Sequence, residues 1–428
     1  MSEDIFDLII VGAGPAGSAA ALVAARAGLE TLVVERGNFP GSKNMTGGRI
    51  YGHSLERLIP DFAREAPLER CVTRERVSLL RERDAVTLEY AAPEAADPAS
   101  RSYTVLRAKF DQWLWSKAEE SGAQLVAGIR VDELILEGGK VCGIKAGDEE
   151  LRAHAVILAD GVNSLLGQSL GMVRPLTPNA CAVGVKEVLG FSPEQIRDRF
   201  GCPEKEGLAW LLAGAPSDGH MGGGFLYTNA DSVSVGLVFG LQGVAAARDS
   251  VPQLFENFMK HPALAPYLEG GRLLEYSAHL VPEGGLGMVP RLVGDGVLVT
   301  GDAAGFCLNV GYTVRGMDLA IESGRCAAEA VIAARERGDW SAAGLRSYEE
   351  LLERSFVLKD LRLYRKLPAA LENERIFTVW PALACGVMEG MFQVNGPATP
   401  LRSRLWGEAR RAGLFSLVRD GFSLLGAL

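Results

Sequence analysis

The stretch DIFDLIIVGAGPAGSAAALVAARAGLETLVVER, Asp4 to Arg36, decides the fold. Ile5 to Val11 is a short apolar run of the kind a parallel sheet buries on both faces. Ser18 to Arg26 is alanine-rich and helix-forming, and Thr31 to Val34 supplies a second strand. Between strand and helix, Gly12 permits a sharp turn, Gly14 lets the backbone approach a pyrophosphate, and Gly17 lets the helix pack closely on the sheet. Pro15 and Ala16 complete the turn, and the helix amino terminus offers free N–H groups to an anion. Glu35 lies eighteen positions beyond Gly17, where a carboxylate accepts hydrogen bonds from ribose hydroxyls. An acid there disfavours a 2′-phosphate and leaves NAD or FAD.

Working outward, 428 residues with 48% hydrophobic and 23% charged side chains exceed one compact domain, so two or three lobes are expected. The net charge of -9 argues against nucleic-acid binding. Seven scattered cysteines form no CxxC pair, which removes a dithiol centre and an internal iron–sulfur cluster; the five histidines are equally dispersed, and no metal site is expected. The amino terminus lacks the basic segment of a secretory signal, so a cytoplasmic location is expected.

Two later strands also end in turns. AVILA, Ala155 to Ala159, leads to DGVNS, with Asp160 and Gly161; VLVT, Val297 to Thr300, leads to GDAAG, with Gly301 and Asp302. Taken alone, Asp302 reads equally well as a helix N-cap. A ligand with two ends accounts for both distant turns, its adenosine at the first and a ribityl chain crossing the sheet to the last. FAD has that shape.

Four further stretches, GSKNMTGGRIYG (Gly41 to Gly52), VLRAKFDQWL (Val105 to Leu114), GGGFLYTNADSVSVGLVFGL (Gly222 to Leu241) and GDAAGFCLNVGYTVRGMDLAIESG (Gly301 to Gly324), carry a resemblance to a flavoprotein superfamily. Within it, the chain resembles the FixC group, single-flavin relatives of the electron-transfer-flavoprotein:quinone oxidoreductases. The resemblance implies an α/β fold: a Rossmann-like FAD-binding lobe of glutathione-reductase/aromatic-hydroxylase type, a second lobe with an antiparallel β-sheet for substrate, and a helical C-terminal region. It places Asp302 on the ribityl chain, Arg107 near the pyrophosphate or ribityl hydroxyls, and Lys43, Asn44, Gly47 and Gly48 along the flavin. Arg36, Val131, Asp160, Gly161 and Gly301 join the cofactor contacts. Asn309, Gly311, Tyr312 and Thr313 would precede a helix from about Gly316 to Glu336 whose positive end stabilises reduced flavin. Residue by residue, Arg107 also reads as a surface arginine, Tyr312 as a core aromatic and Asn309 as a turn former.

The flavin performs the electron transfer, so no catalytic triad is expected. The resemblance implies electrons arriving from an electron-transfer flavoprotein and leaving to quinone, or to a separate ferredoxin-like iron–sulfur subunit, because the cysteine-rich domain of full-length quinone oxidoreductases is missing here. The alternatives are a geranylgeranyl-reductase-like enzyme, an NAD(P)H-dependent hydroxylase-like enzyme, weakened because Ser164 is followed by LLGQSLG without the usual arginine, and a non-catalytic flavin-binding subunit.

The pattern divides the chain into an FAD-binding domain of residues 1–72, 105–172 and 288–340, a substrate or quinone lobe of 73–104 and 173–287, and a helical region, 341–428. Gly284 to Pro290 is a candidate quinone wall. Ile376 to Val394 is the nearest approach to a membrane span, but Pro381 and Glu389 interrupt it. The tail Leu401 to Leu428 has five arginines against two acids, interleaved with Trp406, Phe415 and Phe422. Such a tail suits peripheral contact with the cytoplasmic face of a membrane, a protein partner, or packing on its own lobe.

Overall fold

Parallel register is what brings the distant turns together. In a computed structural model, which describes residues 5–42, 48–394, 396–397 and 399–428, strand Phe6–Val11 lies between Glu149–Leu158 and Thr31–Glu35, all parallel. Val297–Val299 flanks Glu149–Leu158 and Gln124–Ala127 flanks Thr31–Glu35, again parallel. Val11 is level with Leu158 and Val34, and Leu158 with Val299. The residues after each strand therefore emerge on one edge: Gly12, Ala159 and Asp160, Thr300 to Asp302, and Glu35. The ladder runs one step further through Gly12 N to Val34 O (2.8 Å), Ala159 N to Val11 O (2.9 Å) and Thr300 N to Leu158 O (3.0 Å).

Helix Pro15–Arg26 covers this sheet and is crossed by the long helix Met317–Arg337, close to the expected span. The crossing is tight because Gly324 meets the first turn: a Cβ there would stand 2.1 Å from the Ala16 carbonyl oxygen. Leu319, Ile321, Ala327 and Val331 are fully buried, and Ile332 is partly so.

The second sheet runs in the order Arg272–Pro282, Cys181–Gly190, Ser232–Gly240, Gly222–Thr228, Glu206–Gly214, Leu68–Leu80, Ser102–Val105, Arg49–Tyr51, with Ala85–Ala91 also on Leu68–Leu80. It is antiparallel except between Leu68–Leu80 and Glu206–Gly214, which pair in parallel. Side chains alternate across it with period two. Leu208, Trp210, Leu226 and Leu237 face a separate core closed by helices Pro193–Phe200 and Val251–Met259. Val77, Leu79, Leu211, Ala213, Phe225 and Tyr227 alternate with these residues and line a cavity instead.

The C-terminal region is helical, from Ala342–Leu345 to Leu414–Leu425. Helix Arg375–Phe392 continues through Pro381, which is buried where a Cβ on Gly214 would come within 3.0 Å of it. Among the described residues, no helix is long and apolar enough to cross a membrane.

Candidate functional site

One cavity of about 810 Å³ joins the edge of the parallel sheet to the second sheet and the C-terminal helices. Gly12, Gly14, Pro15, Ala16, Glu35, Arg36, Gly48, Arg107, Val131, Asp160, Gly161, Asp302, Asn309, Gly311 and Tyr312 all line it. Gly17, Gly301 and Thr313 do not line it; Gly17 and Gly301 serve close packing, since a Cβ would stand 1.9 Å from Gly12 O and 2.8 Å from Ala16 Cβ respectively. Lys43, Asn44 and Gly47 lie outside the described residues.

At the sheet edge, Gly12 has φ +102°, and a Cβ there would meet the Ala159 carbonyl oxygen at 2.4 Å, so only glycine makes the turn. No side chain caps the helix that starts at Pro15, which leaves its positive end to the cavity. The Glu35 carboxylate accepts the N–H groups of Ala13 (2.9 Å) and Gly37 (2.6 Å), tying the glycine turn to the second strand. A carboxylate has about four acceptor sites, so capacity for ribose hydroxyls remains.

Arg107 opens helix Arg107–Glu120 and makes a two-pronged ion pair with Asp111, Nε to Oδ1 and Nη2 to Oδ2, both 2.8 Å. Burial opposes its charge, but Asp111 more than offsets this and holds the guanidinium protonated. It is therefore no surface arginine. Asp302 sits in the short 3-10 turn Gly301–Ala304, not at the head of a long helix. Burial pushes its carboxyl up, and the Arg107 charge partly counters that. Burial likewise moves Asp160 up to about 6. His279 is held below its usual value by burial, then by Arg107 and Arg36, so the imidazole is neutral among cations.

The segment before the long helix is a small hairpin, Leu308–Asn309 with Val314–Arg315, which separates Asn309 from the helix start at Met317. Asn309 Oδ1 accepts from Gly311 N at 2.9 Å, and its Nδ2 donates to Glu283 at 3.1 Å. Tyr312 is 53% exposed, so the core-aromatic reading fails. Among the described residues, no cluster of His, Cys, Asp or Glu is arranged for a metal ion.

Three family models match the chain: FAD dependent oxidoreductase over residues 7–165, ETF-QO, ubiquinone-binding over 181–281, and ETF-QO/FixC family C-terminal domain over 367–428. The chain is 58% identical to the probable electron transfer flavoprotein-quinone oxidoreductase YdiS of Escherichia coli (strain K12), over 98% of both chains. The chain belongs to the ETF-QO/FixC family. Protein FixC of the same strain is 52% identical over 98% of both chains. Among solved structures, a geranylgeranyl bacteriochlorophyll reductase-like protein from Thermoplasma acidophilum superposes with a TM-score of 0.74 over 99% of this chain and 100% of the other. Its 21% identity speaks for the fold alone.

This ETF-QO/FixC chain is an FAD-dependent oxidoreductase. Its cavity fits that cofactor. The glycine cradle would be filled by any Cβ, the Asp302 carboxylate has no side-chain hydrogen bond among the described residues, and the volume is within the range of small-molecule sites. FAD supplies reversible two-electron chemistry; the protein supplies position, charge and access.

Sequence reasoning missed the rest of the wall. Leu367, Leu371, Phe377, Leu424 and Leu428 reach the cavity from the C-terminal region, and Glu283 reaches it from the end of the edge strand Arg272–Pro282. Gly284 to Pro290 was only a candidate for the quinone wall. Those residues instead form a short turn, Gly285–Met288, off the cavity, with Leu286 and Val289 against the main core. An acid closing an alternating strand was the available signal for Glu283.

Proposed function

We propose that this chain accepts electrons from an electron-transfer flavoprotein onto its FAD and passes them to a quinone, to a separate ferredoxin-like iron–sulfur subunit, or to both. The observation that carries this reading is the single cavity in which the dinucleotide turns meet an apolar wall from the matched ubiquinone-binding segment, including Leu211, Phe225 and Val238, and from the C-terminal helices. In this reading the lining residues named above, with Lys43, Asn44, Gly47, Gly17, Gly301 and Thr313, make up the cofactor site. Glu35 binds ribose, Arg107 and Asp302 take the pyrophosphate and ribityl region, and residues 1–72, 105–172 and 288–340 act as the FAD domain against a quinone lobe and a C-terminal contact region.

The C-terminal region is the peripheral membrane contact in this reading. Helix Leu414–Leu425 is tied inward by a polar contact, Asp420 accepting from Arg375 Nε at 2.7 Å and Asn373 Nδ2 at 3.1 Å. Its apolar stripe of Phe415, Val418, Phe422 and Leu425 consequently faces outward, each residue more than half exposed. An apolar quinone tail needs a route to lipid, and Leu424 and Leu428 of this segment also line the cavity.

The test is anaerobic. The holoprotein is mixed with reduced electron-transfer flavoprotein, and a soluble quinone and the ferredoxin-like subunit are then added separately. Bleaching of the flavin by the protein donor and recovery with quinone is the expected result. Direct oxidation of NADPH with an oxygenated product, and no response to the protein donor, overturns the reading.

A further inference from the structure

We propose that Glu283 is the proton donor of this cavity, handing the proton on its carboxyl group to an oxygen of bound quinone. The proposal rests on the quinone reading above. Glu283 follows the edge strand Arg272–Pro282, two residues beyond the matched ubiquinone-binding segment, and its N–H donates to the Ala180 carbonyl at 2.8 Å. The residue is 9% exposed and lines the cavity. One carboxyl oxygen accepts from Asn309 Nδ2 at 3.1 Å, and among the described residues no other side chain bonds it.

The other acids of the cavity wall each have a cation or N–H donors nearby, although burial still raises Asp160 and Asp302. Glu35 takes two backbone N–H groups, Asp132 takes Arg130, Asp160 feels Arg36, and Asp302 feels Arg107. Among the described residues, Glu283 has only the neutral Asn309 amide. The titratable groups that face it are Cys181, at the start of the neighbouring strand, and Cys307, in the loop after Asp302; burial raises both thiols and keeps them uncharged. A carboxyl group without a countercharge in such a place keeps its proton into the neutral range, and burial pushes this one up to about 7.

Reduction of a quinone to its quinol takes two electrons and two protons. The electrons come from reduced FAD, which is oxidised and releases its own flavin proton to water. One proton leaves Glu283 as its O–H bond breaks and the quinone oxygen gains a hydrogen; water supplies the second proton and restores the carboxyl group.

Reduced holoprotein is reoxidised anaerobically by a short-chain ubiquinone or by ferricenium, an acceptor that takes no proton. Glu283→Gln is expected to slow the quinone reaction on the order of 10²-fold below about pH 7 and to slow ferricenium far less. The wild-type quinone rate falls as pH rises through about 7, the glutamine variant shows no such step, and Glu283→Asp recovers part of the rate. Independently of turnover, infrared spectra of the wild-type protein should show a protonated-carboxyl band that fades through about pH 7 and is absent from Glu283→Gln. Equal quinone rates in wild type and Glu283→Gln, or no such band, overturn the proposal alone. A wild-type protein that ubiquinone never reoxidises overturns the quinone reading and the proposal together.

Discussion

The two ends of the cavity solve opposite electrostatic problems. Where the parallel strands end, Glu35 is answered by two N–H groups and Arg107 by Asp111 through paired 2.8 Å bonds, and the burial that raises Asp302 is partly countered by Arg107. Where the second sheet and the C-terminal helices close over it, the wall is largely leucine and phenylalanine, and among the described residues Glu283 has one amide, from Asn309. The first end is built to hold a permanently charged, polar ligand in one place. In the proposed reading the second admits an apolar one and changes its own charge. The difference teaches that burial alone does not set a carboxyl group's behaviour; the neighbours that share the burial do.

The largest effect that tests this contrast is at the first turn. Gly12→Val places a side chain 2.4 Å from the Ala159 carbonyl at φ +102°, so a loss of more than about 4 kcal/mol and colourless, FAD-free protein are expected, read by flavin absorbance and urea unfolding. Survival of yellow protein would break the account of the cradle.

Next is the answered charge. Arg107→Met strands the Asp111 carboxylate in the interior and should cost about 4 kcal/mol in chemical denaturation, while Arg107→Met with Asp111→Leu should recover most of it. If the double variant is no better than the single one, the ion pair is not what the helix start depends on.

Glu283 sharpens the contrast with the opposite sign. Its folded value lies above the ordinary 4.5, so the folded state binds the extra proton, and wild-type stability is full below about 4.5 and is lost as pH rises toward about 7. Glu283→Gln should therefore stabilise the protein by about 3 kcal/mol above pH 7 and by nothing below about 4.5, measured as unfolding free energy across that range.

The smallest effect on stability falls outside the cavity. Phe415→Ser with Phe422→Ser removes exposed side chains and should change folding by no more than about 0.5 kcal/mol, yet should release the protein from anionic vesicles in a sedimentation assay. Unchanged vesicle binding would separate the C-terminal surface from the lipid route.

Much of the first end was legible beforehand. Gly12, Gly14 and Glu35 were marked by their spacing between two apolar runs, and Asp302 by its place after a third. The far end was not. Whether Tyr312 packs inside or faces out depends on the hairpin Leu308–Asn309 with Val314–Arg315, which has no local signature. Pro381 and Glu389 argued against a membrane span, but that helix Arg375–Phe392 runs through Pro381 packed against Gly214 depends on the tertiary packing.

The sequence by itself determined the strands, the glycine turn, the acid at its partner strand and the helix that packs across it, because each rests on period, backbone sterics or spacing within a few dozen residues. Only the tertiary structure decided that Glu283, Leu424 and Leu428 share a cavity with Gly12, and that Phe415 and Phe422 look outward. Those facts depend on which chain segments meet after folding, and on the charges that each burial removes from water, neither of which is written in local pattern.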